Sequence, residues 1–191
     1  MKRILLIGAF LIGLGAILAA GSLAYFTASS RAVNVITTGG IDIDLMEMTE
    51  VTTAEGTELV PYDEVYPDGC AEVMPGMSVS KIVTVKNLDG SAESWIRVKT
   101  DIIVKGETEL SDEMIIPNIN TDDWELKDGF YYYKSPLKAG EETSPLFTEV
   151  EFDGDMDNEY QNSRVEIDVA AQAVQTKNNG ASAAEAAGWP A

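Results

Sequence analysis

The sequence predicts an all-β protein, an antiparallel β-sandwich preceded by an apolar, helical leader. Three observations lead there. Short runs of alternating or β-branched residues recur along the chain. Turn signals separate them, as at Asn87-Leu88-Asp89-Gly90, Asp128-Gly129 and Lys138-Ala139-Gly140-Glu141. Helical periodicity is almost absent outside the leader. The 191 residues contain no internal repeat, and without the leader they suffice for one domain with its own core.

The leader comes first. Lys2 and Arg3 precede an unbroken apolar and glycine run, residues 4–21, followed by Ser22-Leu23-Ala24. Basic start, apolar core and small-x-small site are the three parts of a secretory signal peptide, which places cleavage after Ala24 or, as the near alternative, after Tyr25. The run also approaches the ~20 residues of a membrane span, so an uncleaved anchor is the rival reading. Gly8, Gly13, Gly15 and Gly21 favour cleavage. The chain then divides into a signal peptide (1–24), an amino-terminal segment (25–40), a β-sandwich domain (41–175) and a tail (176–191).

Residues 33–36 and 41–45 have strand character on either side of Gly39-Gly40. Residues 49–70 are acidic and punctuated by Gly56, Pro61, Pro67 and Gly69, which predicts a long loop or irregular insertion. Met74-Pro75-Gly76-Met77 is a turn, and 79–86 a strand rich in β-branched residues. Residues 94–104 predict a long strand, with Ile96, Val98, Thr100 and Ile102 on one face and Trp95, Arg97 and Lys99 on the other. A loop with one helical turn is expected over 107–121. The clearest hairpin is 124–133, where Asp128-Gly129 supplies the positive dihedrals of a type I′ turn. Residues 146–152 and 164–174 are strands, the latter with Val165, Ile167, Val169 and Ala171 inward. Residues 182–188 predict a short capped helix ended by Pro190.

The net charge is −19; losing Lys2 and Arg3 with the leader takes the 13 basic residues to 11 against 32 acidic ones, near −21. Such a surface excludes nucleic acid and anionic membranes as partners, and makes self-association sensitive to salt and pH. Contact with a membrane is expected only through an uncleaved leader. One cysteine, Cys70, leaves no intrachain disulfide in an exported protein; it is an inert small hydrophobe or a thiol able to link two chains.

Histidine is absent, which removes H-E-x-x-H zinc chemistry and every Ser-His-Asp or Cys-His nucleophile, so no catalytic residues are expected. The one metal-like run is Asp153, Asp155 and Asp157, whose alternating carboxylates could meet a calcium ion. As an EF-hand loop it fails at the sixth position, Asn158 instead of glycine, and at the twelfth, Arg164 instead of glutamate. A solvated acidic loop is the plainer reading. No cofactor other than calcium is in question. The aromatics Trp124, Phe130, Tyr131, Tyr132 and Tyr133 divide between core and cross-strand ladder, with a sugar- or surface-binding platform as the alternative.

Several short motifs carry a resemblance. Gly13-Leu14-Gly15, Gly21, Ala24-Tyr25-Phe26-Thr27, Asn34 and Gly39-Gly40-Ile41-Asp42-Ile43-Asp44 resemble the SipW-type signal peptide and mature start of the TasA/camelysin family. The likeness continues at Met74-Pro75-Gly76, 81–87, Trp95-Ile96-Arg97-Val98 and 170–175, while 49–70 matches nothing in it. It implies a jelly roll, export through a SipW-type signal peptidase, and a place in the extracellular matrix or on the cell surface of a Gram-positive bacterium. Many members are fibre subunits of biofilm matrix, so the implied partners are further copies of the chain or related matrix proteins. The camelysin branch is labelled metallopeptidase, which the missing histidine argues against.

Assembly has its own physical rationale. The segment 25–39 has apolar residues but no partner within a short turn. Added to a sheet edge of the next subunit, it would gain backbone hydrogen bonds and place alternate side chains in pockets, and the head-to-tail contact would not close. Phe26, Val33, Val35 and Ile36 are the expected pocket residues. Alternatively the segment folds back as an edge strand of its own domain. A monomeric secreted or wall-associated binding module is the competing function.

Overall fold

A computed structural model describes residues 26–37, 40–67, 70–105, 111–157, 160 and 163–190, with residues 26–37 and 70 as backbone. The signal peptide and its cleavage site, Ala24 and Tyr25, lie outside the described residues.

The chain is mostly β. Its strands are β1 (Phe26–Thr37), β2 (Ile43–Thr53), β3 (Gly56–Pro61), β4 (Cys70–Val73), β5 (Ser78–Ser80), β6 (Ile82–Asn87), β7 (Ser94–Lys105), β8 (Ile115–Pro117), β9 (Trp124–Lys127), β10 (Phe130–Tyr133), β11 (Glu149–Phe152) and β12 (Arg164–Gln175). A short helix, α1 (Tyr62–Val65), follows β3. A six-stranded sheet has the order β4-β1-β12-β7-β10-β9, and two three-stranded sheets have the orders β5-β11-β8 and β3-β2-β6. Every described pairing is antiparallel except one: β1 runs parallel to β12.

One hydrophobic cluster joins the three sheets. Val165, Ile167, Val169, Ala171 and Ala173 of β12 and Ile96 and Val98 of β7 meet Ile43 of β2, Val83 and Val85 of β6, Ile115 of β8, and Val150 and Phe152 of β11. The period-2 pattern of β12 turns its apolar residues into this core, as their alternation predicts. The Asp128-Gly129 hairpin forms with both turn residues at positive φ, 51° and 78°, and joins β9 to β10.

Several sequence expectations are revised. Residues 49–65 of the expected 49–70 loop are instead ordered elements: β2 continues to Thr53, β3 returns along it, and α1 follows β3. Threonine and valine at 49, 51, 52, 53, 57 and 60 supply the β character that acidic neighbours and glycine mask in the sequence. The run 79–86 breaks at Lys81, where the chain leaves one small sheet (β5) and enters the other (β6). Lys81 is buried there, 2.7 Å from the buried carboxylate of Glu47 and 4.5 Å from the Tyr62 ring centroid. Burial pushes the Lys81 pKa below its ordinary 10.5, while Glu47 pulls it back up. Leu146 and Phe147 are core residues bonded irregularly to Val83, so the strand expected over 146–152 begins at Glu149. β8 occupies part of the expected 107–121 loop. The helix expected over 182–188 is a single 3-10 turn, Ala183–Glu185, without a side-chain cap.

Candidate functional site

In the large sheet, β1 lies between β12 and β4. β12 lines one side of it, with Val165, Ile167, Val169, Ala171 and Ala173 buried and Glu166, Asp168, Ala170 and Gln172 alternating with them. β4 lines the other side with buried Ala71 and Val73. β4 is four residues long and is one edge of the large sheet; β9 is the other.

Register assigns the expected pocket residues their neighbours. Phe26 stands opposite Val73, and Val35 opposite Ala171, both fully buried partners. Ile36 stands opposite Gln172. Val33 falls where the register shifts between Ala32 and Val35, outside the regular ladder to β12. Cys70 pairs through its backbone with Ser29.

The outer face of the same sheet changes character along its length. At one end Trp95, Tyr132, Val174 and Ala183 form a second apolar cluster under the carboxy-terminal segment. Arg97 anchors that segment. Its guanidinium stacks 3.8 Å from the Phe130 ring centroid and 4.7 Å from that of Trp189, and donates to Gln172 Oε1 (2.7 Å) and the Pro190 carbonyl (3.1 Å). Asn179 fastens the turn before it by donating to the Gln175 and Ala187 carbonyls and accepting from Ala187 N–H. At the other end the face is open and charged. Lys99 pairs with Asp101 at 2.7 Å, Lys105 with Glu166 at 2.5 Å, and Arg164 lies 3.4 Å from Glu166. Asp101 and Asp168 stand directly opposite each other, a like-charge pair that disfavours the ladder locally. Lys99 serves Asp101. Asp168 Oδ1 is buried and has no hydrogen-bond partner among the described residues.

The other expected sites resolve differently. Asp153 Oδ1 accepts from Asp155 N–H at 2.8 Å within the acidic loop. Among the described residues, no group of three or more cysteine and acidic side chains is placed to hold a metal ion. The aromatic hairpin alternates between sides. Trp124 is in the main core with Tyr131 and Tyr133 packed against it, and its indole N–H donates to the Ser144 carbonyl. Phe130 and Tyr132 belong to the outer cluster instead. Sequence reasoning missed Arg97 as an anchor and the tail as a cover; Trp189 at the end of a small-residue run was the available signal. No helix among the described residues is long and apolar enough to cross a membrane. Comparison of the chain with family models, curated proteins and solved structures finds no match.

Proposed function

We propose that this chain is a secreted, non-enzymatic structural protein of the TasA/camelysin type, whose mature form polymerises head to tail into extracellular biofilm-matrix fibres by donor-strand exchange. The observation that carries the reading is the β1–β12 pairing. β1 directly follows the expected cleavage site, enters the sheet in the one parallel pairing among those described, and is joined to the rest of the domain through Thr38-Gly39-Gly40. Withdrawing it leaves β12 supported along its other flank by β7, so the β12 side of the seat persists as an unpaired strand edge, while β4 loses its one described ladder partner. The same segment from a second copy makes equivalent hydrogen bonds there, and a contact of that kind propagates without closing. The jelly roll implied by the family resemblance is the arrangement in which we place the three sheets.

The alternative is a monomeric secreted or wall-associated module, with calcium as its candidate ligand through Asp153, Asp155 and Asp157. What favours it is that a single chain fills its own β1 position. Electron microscopy of the mature protein, started at Tyr25 or Phe26, separates the two. Fibres are expected from the mature chain, and a folded, soluble monomer from the chain lacking residues 25–37. Unfolding of the truncated chain would favour the self-contained domain, and fibres from it would reject strand exchange.

A further inference from the structure

Between Phe26 and Thr37 the sequence has one charged residue, Arg31. Register sets Arg31 opposite Asp168 of β12. On its other flank Asp168 faces the like-charged Asp101, which Lys99 already serves. Asp168 Oδ1 is buried, with no hydrogen-bond partner among the described residues. A buried carboxylate oxygen left unpaired is costly, and a guanidinium is the donor best shaped to satisfy it.

We propose that Arg31 is the register key of the assembling strand, the residue whose positive charge the register matches to Asp168 of the acceptor chain. This rests on the strand-exchange reading. Alternation alone does not fix the register of the donor. A slip of one residue turns every side chain to the wrong face, but a slip of two keeps the faces and only changes the partners. Two-residue slips would bring Ser29 or Val33 opposite Asp168, a hydroxyl or an apolar side chain, and leave its charge unmatched. The correct register alone supplies the cation. The strongly acidic chain adds discrimination, because basic residues are outnumbered in it, a neutral residue at this position leaves Asp168 without a counter-charge, and an acidic one is repelled.

The test uses the mature chain and four forms of it: Arg31→Asp, Asp168→Arg, the double variant Arg31→Asp/Asp168→Arg, and Arg31→Lys. Fibre yield by electron microscopy and sedimentation is the readout. Each single reversal alone is expected to lose fibres, Arg31→Lys to retain them, and the double variant to recover them. Mixing the two single reversals in equal amounts is the decisive step. In an exchanged polymer the donor strand of the Arg31→Asp chain seats in the Asp168→Arg chain, where the charges are opposite again. The donor strand of the Asp168→Arg chain keeps its native Arg31 and meets the native Asp168 of the other chain. The mixture therefore polymerises as an alternating copolymer at wild-type yield. Recovery in the double variant without recovery in the mixture would place the pair within one chain and overturn both the proposal and the exchange. Wild-type fibres from both single reversals would overturn the register key alone, leaving strand exchange to stand or fall on removal of residues 25–37.

Discussion

β12 is bonded differently on its two flanks. Towards β7 the ladder is antiparallel and uninterrupted, from Arg164–Lys105 to Gln175–Ser94. Towards β1 it is parallel, breaks register between Ala32 and Val35, and joins residues from opposite ends of the chain. Parallel pairing is slightly weaker per residue, and a bulge removes ladder bonds locally. Under the proposed strand exchange, the first flank is the frame of the domain and the second its replaceable part. A strand can be exchanged only if the seat outlasts its departure, and the β7 flank supplies that persistence.

Substitutions in the frame should unfold the protein, whereas changes at the seat should alter assembly and spare the fold. The largest effect is expected at Lys81. Lys81→Met leaves Glu47 buried without its cation and should lower stability by about 3–5 kcal/mol, read from urea unfolding. Pairing it with Glu47→Leu should recover most of that loss. The same ion pair has a pH signature. Because burial depresses the folded pKa of Lys81, the folded state releases its proton before the unfolded state does. Stability should thus rise with pH between the depressed value and 10.5, and that rise should vanish in the double variant.

Ile96→Ala, a cavity in β7 at the core, should cost about 2–5 kcal/mol with no change in the ability of the remaining folded protein to assemble. Gly129→Ala places a side chain at φ 78° in the hairpin turn and should cost about 1 kcal/mol, again without touching assembly. The smallest effect on the fold, but a clear one on rate, is expected from salt. Raising ionic strength should speed fibre growth, because screening relieves repulsion between acidic subunits while the strand contact is hardly changed. Growth curves by light scattering check this, and faster growth at low salt would contradict it.

The frame was largely legible in the sequence and the seat was not. Val165, Ile167, Val169 and Ala171 alternate plainly, so β12 and its inward face follow from local pattern. Asp128-Gly129 fixes its hairpin from two residues. The partner of β1 has no local signal, since parallel pairing of the chain's two ends depends on everything folded between them. Lys81 looked like one more residue of a strand, yet it marks the crossing from one small sheet to another and is buried by that crossing. The tail read as a short capped helix over 182–188, because its small residues carry no sign of a contact across the sheet. Its role comes from Trp189 reaching Arg97 across the sheet, a contact between residues far apart in the chain.

The most direct test of exchange uses the lone cysteine. Ser29 of β1 pairs with Cys70 of β4, and paired antiparallel residues have Cα atoms about 4.5–5.5 Å apart, within disulfide range. In Ser29→Cys, mildly oxidised after growth under fibre-forming conditions, the bond reports whose β1 occupies the seat. Strand exchange predicts a ladder of covalent oligomers on a non-reducing gel, collapsing to monomer on reduction. A single intrachain-linked monomer band from the same material would show that each chain keeps its own strand.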